Sequence, residues 1–118
     1  VGDAAMVATL QRSRVSLSVP SSDATSVAML ESLACGLPVI ASDLPANRAW
    51  IDPEWRVPPR DAAALVTALV RLHDDPAAAQ ALGRRNRELA LRRASRHAQM
   101  ERMALLYDAL RLKAPPPV

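Results

Sequence analysis

A chain of 118 residues, half of them apolar and 23% charged, has the composition of one folded domain with enough length to bury a core, and excludes disorder. Two tryptophans, one tyrosine and no phenylalanine leave no stacking platform for single-stranded nucleic acid, and the net charge of +3 is too small to argue for such a partner. The single cysteine, Cys35, excludes an internal disulfide and a Cys-rich metal site.

The first element in chain order is a helix over residues 3–13, with Asp3 as N-cap and Met6, Val7 and Leu10 as its apolar stripe. Val15 to Val19 alternates apolar and small residues before Pro20, which predicts a strand. A polar loop, Pro20 to Ala24, leads to a helix capped by Thr25 or Ser26. Val27, Leu30 and Ala34 share one face of that helix, Glu31 lies on or beside it, and Gly36 is the expected left-handed C′ residue. Val39 to Ser42 reads as a buried strand. Strand, helix and strand within about thirty residues make one right-handed βαβ unit. The loop after the first strand then lies at the carboxyl edge of the sheet, where open α/β sheets bind ligands.

Asp43-Leu44-Pro45 opens a short helix that Asp52-Pro53 stops, and residues 54–57 read as a third, short strand. Asp61 caps a helix over residues 62–73 with Leu65, Val66, Leu69 and Leu72 on one stripe. Pro76 starts another helix that runs to about Arg93. Ser95 caps the last helix, to about Leu112, where Met100, Met103, Leu106, Tyr107 and Leu110 are expected to form a buried stripe. The predicted class is therefore α/β: part of a Rossmann-like domain, with two or three parallel strands and five or six helices. The domain covers residues 1–112 and a Pro-rich tail covers 113–118. The first strand has no upstream strand to pair with, and the chain opens on Val1 without an initiator Met, so it is expected to be the second half of such a domain within a longer protein. No segment reads as a signal peptide or a membrane span, which sets a cytoplasmic location as the expectation.

Chemistry concentrates between Asp23 and Glu31, which seven residues separate. A carboxylate on the inner side of a buried helix is costly without a partner. That partner is either a cation of the chain, such as Arg48, or a ligand. Asp23 in the loop and Glu31 in the helix can face one crevice, with the backbone N–H groups near Thr25, Ser26 and Val27 between them. Carboxylates that grip hydroxyls beside amides that hold phosphate suit a nucleotide-sugar, and the spacing by itself leaves both readings open. Cys35, among small apolar neighbours, is expected to be a buried structural thiol. His73 and His97 have no partner at metal-ligand spacing and are expected to be exposed. Arg84, Arg85, Arg87, Arg92, Arg93, Arg96 and Arg102 read as a solvated face, partly balanced by Glu88 and Glu101; its functional version is peripheral contact with anionic lipid, and nucleic acid is not expected.

The segment from Val15 to Ile51 resembles the signature region of retaining GT-B glycosyltransferases, most closely family four. That signature runs Pro-Ser, an acidic residue, seven residues, then Glu, followed by Ala-Cys-Gly and Pro-Val. This chain reads Pro20-Ser21, Asp23, then Glu31-Ser32-Leu33-Ala34-Cys35-Gly36-Leu37-Pro38-Val39. The resemblance extends more loosely to Pro58-Pro59-Arg60-Asp61 and to the helical end near Tyr107, so nearly the whole chain is similar to the last third of such enzymes.

The resemblance implies the donor-binding half-domain of an enzyme that transfers a hexosyl group from a nucleotide-sugar with retention. Glu31 matches the acid that binds the ribose hydroxyls. Asp23 matches the catalytic acid near the transferred sugar, and Ala24, Thr25, Ser26 and Val27 supply amides to sugar and diphosphate. It implies no cofactor and no divalent metal, and an N-terminal acceptor domain elsewhere in the same protein, without which this stretch turns nothing over. Four positions depart from the family pattern: Asp23 for the usual Glu, Ala24 for Gly, Ala49 where a Glu is common, and Glu54-Trp55-Arg56 where a Gly is usual. These departures motivate the alternative, a degenerate binding module without catalysis.

Overall fold

The structure, a computed structural model, describes residues 3–113. Its elements in order are α1 (Asp3–Arg12), β1 (Ser16–Ser18), α2 (Val27–Ala34), β2 (Val39–Ser42), 3-10 turns at Pro45–Ala49 and Pro53–Trp55, β3 (Arg56–Val57), α3 (Ala62–Asp74), α4 (Pro76–Arg93) and α5 (Arg96–Lys113). The three strands form one parallel sheet in the order β1-β2-β3, with Leu17 opposite Ile40 and Ala41 opposite Arg56. This is the partial Rossmann-like α/β fold that the sequence predicts, with β1 at one edge.

β2 is the centre of the core. All four of its residues are buried, as strands covered on both faces must be. Met29 and Leu33 of α2, Ile51, Trp55, Val57, Ala68 and Leu72 of α3, and Leu82 and Ala90 of α4 pack around it. The link from α2 to β2 is a Schellman turn: the Leu37 N–H donates to Ser32 O (3.1 Å) and the Gly36 N–H to Leu33 O (2.9 Å). Gly36 takes φ +77°, the left-handed conformation expected of it.

A second glycine explains how tightly α4 meets this turn. A Cβ on Gly83 would lie 2.1 Å from the Gly36 carbonyl oxygen, so only glycine lets the helix approach so near. Two side chains of α4 then satisfy the turn. Asn86 Nδ2 donates to Leu37 O at 2.8 Å, and Arg87 Nη1 donates to Ala34 O at 3.0 Å. The Arg87 cation at the carboxyl end of α2 also complements the helix dipole.

The structure corrects several expectations about faces. In α2 the buried stripe is Met29, Ser32 and Leu33; Val27 is 68% exposed and Ala34 is exposed as well. Both sets have helical spacing. The winning one is the set whose small member, Ser32, fits against β1: its Oγ donates to Ala28 O (2.9 Å) and lies 2.8 Å from Ser16 Oγ. β1 is shorter than predicted, and its Leu17 is exposed. In α1 nothing is fully buried. In α3, Ala68 and Leu72 are buried and Val66 is exposed. The largest correction is α5. None of its residues is buried, and Met100, Met103, Leu106, Tyr107 and Leu110 are all exposed. α5 helps stretch the molecule to 65 × 30 × 27 Å. Cys35 is half-buried, not enclosed, because it is the C-cap residue of a helix whose end faces a cleft. His73 and His97 are exposed, as expected. The helix reaches Lys113, and the rest of the predicted tail, residues 114–118, lies outside the described residues.

Candidate functional site

The carboxyl edge of the sheet carries the loop from Val19 to Ser26. Pro20 fixes its start, since a residue without an N–H cannot extend the ladder. Ser26 fixes its end as N-cap of α2: it takes extended angles (φ −71°, ψ 124°), and its Oγ accepts from the Met29 N–H at 3.3 Å. Between them Asp23, Ala24 and Thr25 are exposed. Helix geometry starts at Val27, so Val27 and Ala28, both exposed, hold the N–H groups that neither an intrahelical carbonyl nor the Ser26 hydroxyl takes up. Thr25 and Ser26 precede the helix.

Glu31 lies one turn further along. It is half-buried and lines a small cleft of about 220 Å³ between α1, β1 and α2, together with Met6, Leu10, Leu17, Ser18 and Met29. Among the described residues it has no ion-pair partner. The expected alternative, Arg48, is taken: its Nε donates to Asp43 Oδ1 at 3.1 Å. The same Asp43 oxygen lies 3.1 Å from Arg56 Nε, out of line for a hydrogen bond. Asp23 and residues 24–27 do not line the Glu31 cleft. The structure therefore places the two acids on adjoining parts of one strand-loop-helix unit without closing them into one cavity.

A larger cleft, about 1040 Å³, opens at the opposite edge, where Arg14, Val15, Leu37 and Pro38 mark the amino ends of β1 and β2. Open α/β sheets bind ligands at the carboxyl edge, so its size does not make it the functional site. Among the described residues no group of three or more His, Cys, Asp or Glu side chains could hold a metal ion.

Sequence reading missed the hydrogen bonds that tie the carboxyl-edge loops together. Ser42, the last residue of β2, is fully buried, and its Oγ donates to Pro20 O at 2.7 Å. Asn47, also buried, donates from Nδ2 to Ser42 O at 2.9 Å. The available signal was a hydroxyl closing an otherwise apolar run, Val39-Ile40-Ala41-Ser42, since a buried hydroxyl must find a partner.

The family described as Glycosyl transferase-like matches residues 1–105, the greater part of the chain. The chain belongs to this family. No curated protein matches it in sequence. Among solved structures, sucrose-phosphate synthase from Thermosynechococcus elongatus is similar, at 31% identity over 90% of this chain with a TM-score of 0.85. The match covers 27% of that enzyme's chain, so most of the enzyme has no counterpart in the 118 residues. Family and neighbour agree with the partial Rossmann-like α/β fold described above. Among the described residues no helix is long and apolar enough to cross a membrane.

Proposed function

We propose that this chain forms the donor half-site of a retaining glycosyltransferase. The observation that carries the proposal is Glu31, a half-buried carboxylate at a cleft beside the carboxyl edge of β1, with no cation paired to it among the described residues. A carboxylate held in that way accepts two hydroxyl hydrogens, the pattern of a ribose. The exposed N–H groups of Val27 and Ala28 open α2 toward solvent and suit a diphosphate. Asp23, on the loop before them, is the residue for the anomeric carbon of the transferred sugar.

In this reading the bond from the anomeric carbon to the diphosphate oxygen breaks. Positive charge develops on the sugar, and the Asp23 carboxylate stabilises it. An acceptor hydroxyl attacks from the face the diphosphate leaves, and its proton passes to the departing oxygen. The acceptor side belongs to the rest of the enzyme, and the 118-residue chain alone is expected to show no turnover. The arrangement calls on no metal, since amides and the helix terminus carry the diphosphate charge.

A nucleoside diphosphate titrated against the protein should bind, and Glu31→Ala should weaken it by about tenfold or more, the loss of a charge-assisted hydrogen bond. Absence of binding in both forms would overturn the donor reading. The alternative, a binding module without catalysis, is favoured by the exposure of Asp23; turnover of any nucleotide-sugar by the intact enzyme, abolished by Asp23→Ala, excludes it. Peripheral membrane contact draws support from Arg96 and Arg102, exposed and without ion pairs among the described residues, on the same helix as the exposed apolar residues of α5. Salt-sensitive sedimentation with anionic vesicles tests it.

A further inference from the structure

The Asp23 loop is pinned twice, and Asp23 sits midway. It lies three residues after Pro20 and three before Ser26. The second pin is the helix cap, made within the loop's own helix. The first comes from another strand: Ser42 Oγ reaches Pro20 O at 2.7 Å across a gap of 22 residues in sequence. Ser42 is in turn fixed on its other side, because its carbonyl accepts from both the Leu44 N–H (2.8 Å) and Asn47 Nδ2 (2.9 Å). Asn47 and Ser42 are among the most buried polar residues of the chain, at 2% and 0% exposure. The loop they hold is exposed from Ser21 to Thr25. A buried relay therefore ends on a loop that is otherwise open to solvent.

We infer that Ser42 and Asn47 are positioning residues for Asp23: the relay Asn47–Ser42–Pro20 sets the height of the acid-bearing loop above the sheet. The inference rests on the donor reading for its catalytic consequence, though not for the relay itself. Burial alone does not require this partner. A serine at the end of β2 could have bonded within its own turn, as Ser32 does with Ala28. Ser42 instead bonds to a carbonyl that begins the neighbouring loop. Displacements of about 1 Å at a reacting group can change rates about a hundredfold. The relay is thus a means by which β2, the most buried strand, controls a residue it never touches.

The test has a readout free of any ligand and one on turnover. In Ser42→Ala, backbone NMR order parameters of Ser21 to Thr25 are expected to fall to about 0.6 or lower, while those of β2 and α2 stay near 0.85. Ser42→Thr, which keeps the hydroxyl, is expected to restore them. Asn47→Ala is expected to act in the same direction with a smaller amplitude. In the intact enzyme Ser42→Ala should lower kcat by about tenfold or more with the donor KM changed by less than about threefold, and Ser42→Thr should recover most of it. Unchanged order parameters in folded Ser42→Ala would overturn the inference, as would loosening that spreads evenly through β2 and α2. If Glu31→Ala leaves nucleoside diphosphate binding intact while the loop still loosens in Ser42→Ala, the donor reading fails and the relay stands.

Discussion

α2 and α5 have the same kind of pattern and opposite fates. Met29, Ser32 and Leu33 of α2 share a face at helical spacing, and so do Met100, Met103, Tyr107 and Leu110 of α5. The first set is buried to 2% exposure or less; every member of the second is at least 44% exposed. The difference is not in the helices. α2 is met by β1, β2 and α4, and its far end is closed by Gly36, Asn86 and Arg87. α5 leans on α4 over only its first turns. Periodicity therefore states which residues face the same way, and a covering surface decides whether that way is inward.

The sharpest way to break this comparison is to truncate one residue from each stripe. Leu33→Ala removes a side chain with no exposure at all, and is expected to destabilise the protein by about 3–5 kcal/mol, the loss for a buried leucine whose site cannot collapse. Leu106→Ala, at a residue 60% exposed, is expected to change stability by less than about 0.5 kcal/mol. Urea unfolding of the two variants reads both. Comparable losses would mean that something covers α5 in solution.

That contrast also marks what could be read from sequence. Local chemistry was legible. Gly36 ends α2 in the left-handed conformation, Asp61 accepts from the Ala64 N–H at 2.9 Å, and Pro76 starts α4. So was the parallel βαβ unit, because two short apolar runs flanking a capped helix admit little else. The face of α2 was not legible. Val27-Leu30-Ala34 and Met29-Ser32-Leu33 are both helical sets, and the more apolar one lost to the one that fits against Ser16. Nor was the fate of Glu31's supposed partner legible, since Arg48 is captured by Asp43, a residue five positions away on the same turn. The Ser42–Pro20 hydrogen bond lay beyond sequence reading for a simpler reason. It links two strand ends, and only the register of β1 against β2, Ser18 opposite Ala41, brings them side by side. In the candidate site the structure adds the hydrogen bonds at the two ends of the Asp23 loop, Ser42 to Pro20 and Met29 to Ser26.

A second, smaller effect sharpens the comparison at the seam between α4 and the α2 turn. Gly83→Ala places a Cβ against the Gly36 carbonyl, a backbone atom that cannot rotate away, at a starting distance of 2.1 Å. α4 must then move off the turn, with strain on the Asn86 and Arg87 hydrogen bonds. A loss of about 1–3 kcal/mol is expected, in the range of overpacked cores. An unchanged melting temperature would show that α4 does not need this close approach. No matching seam exists on α5 among the described residues.

Removing most of α5 altogether should also have a small effect. A chain that ends after Gln99 loses seven of the exposed large apolar side chains, Met100 to Leu112, and no buried residue. Its hydrogen bonds in that stretch are the helix's own, and an isolated helix of that length is marginal in water. Deletion is therefore expected to shift the unfolding free energy by less than about 1 kcal/mol, against several for Leu33→Ala. Native-state hydrogen exchange should agree: amides from Met103 to Leu110 are expected to exchange through local fraying, far below the global unfolding free energy, while Val39 to Ala41 exchange only through it. If α5 amides were protected as strongly as those of β2, the apolar stripe would have a partner in solution, and the contrast between the two helices would be one of timing in assembly, not of packing.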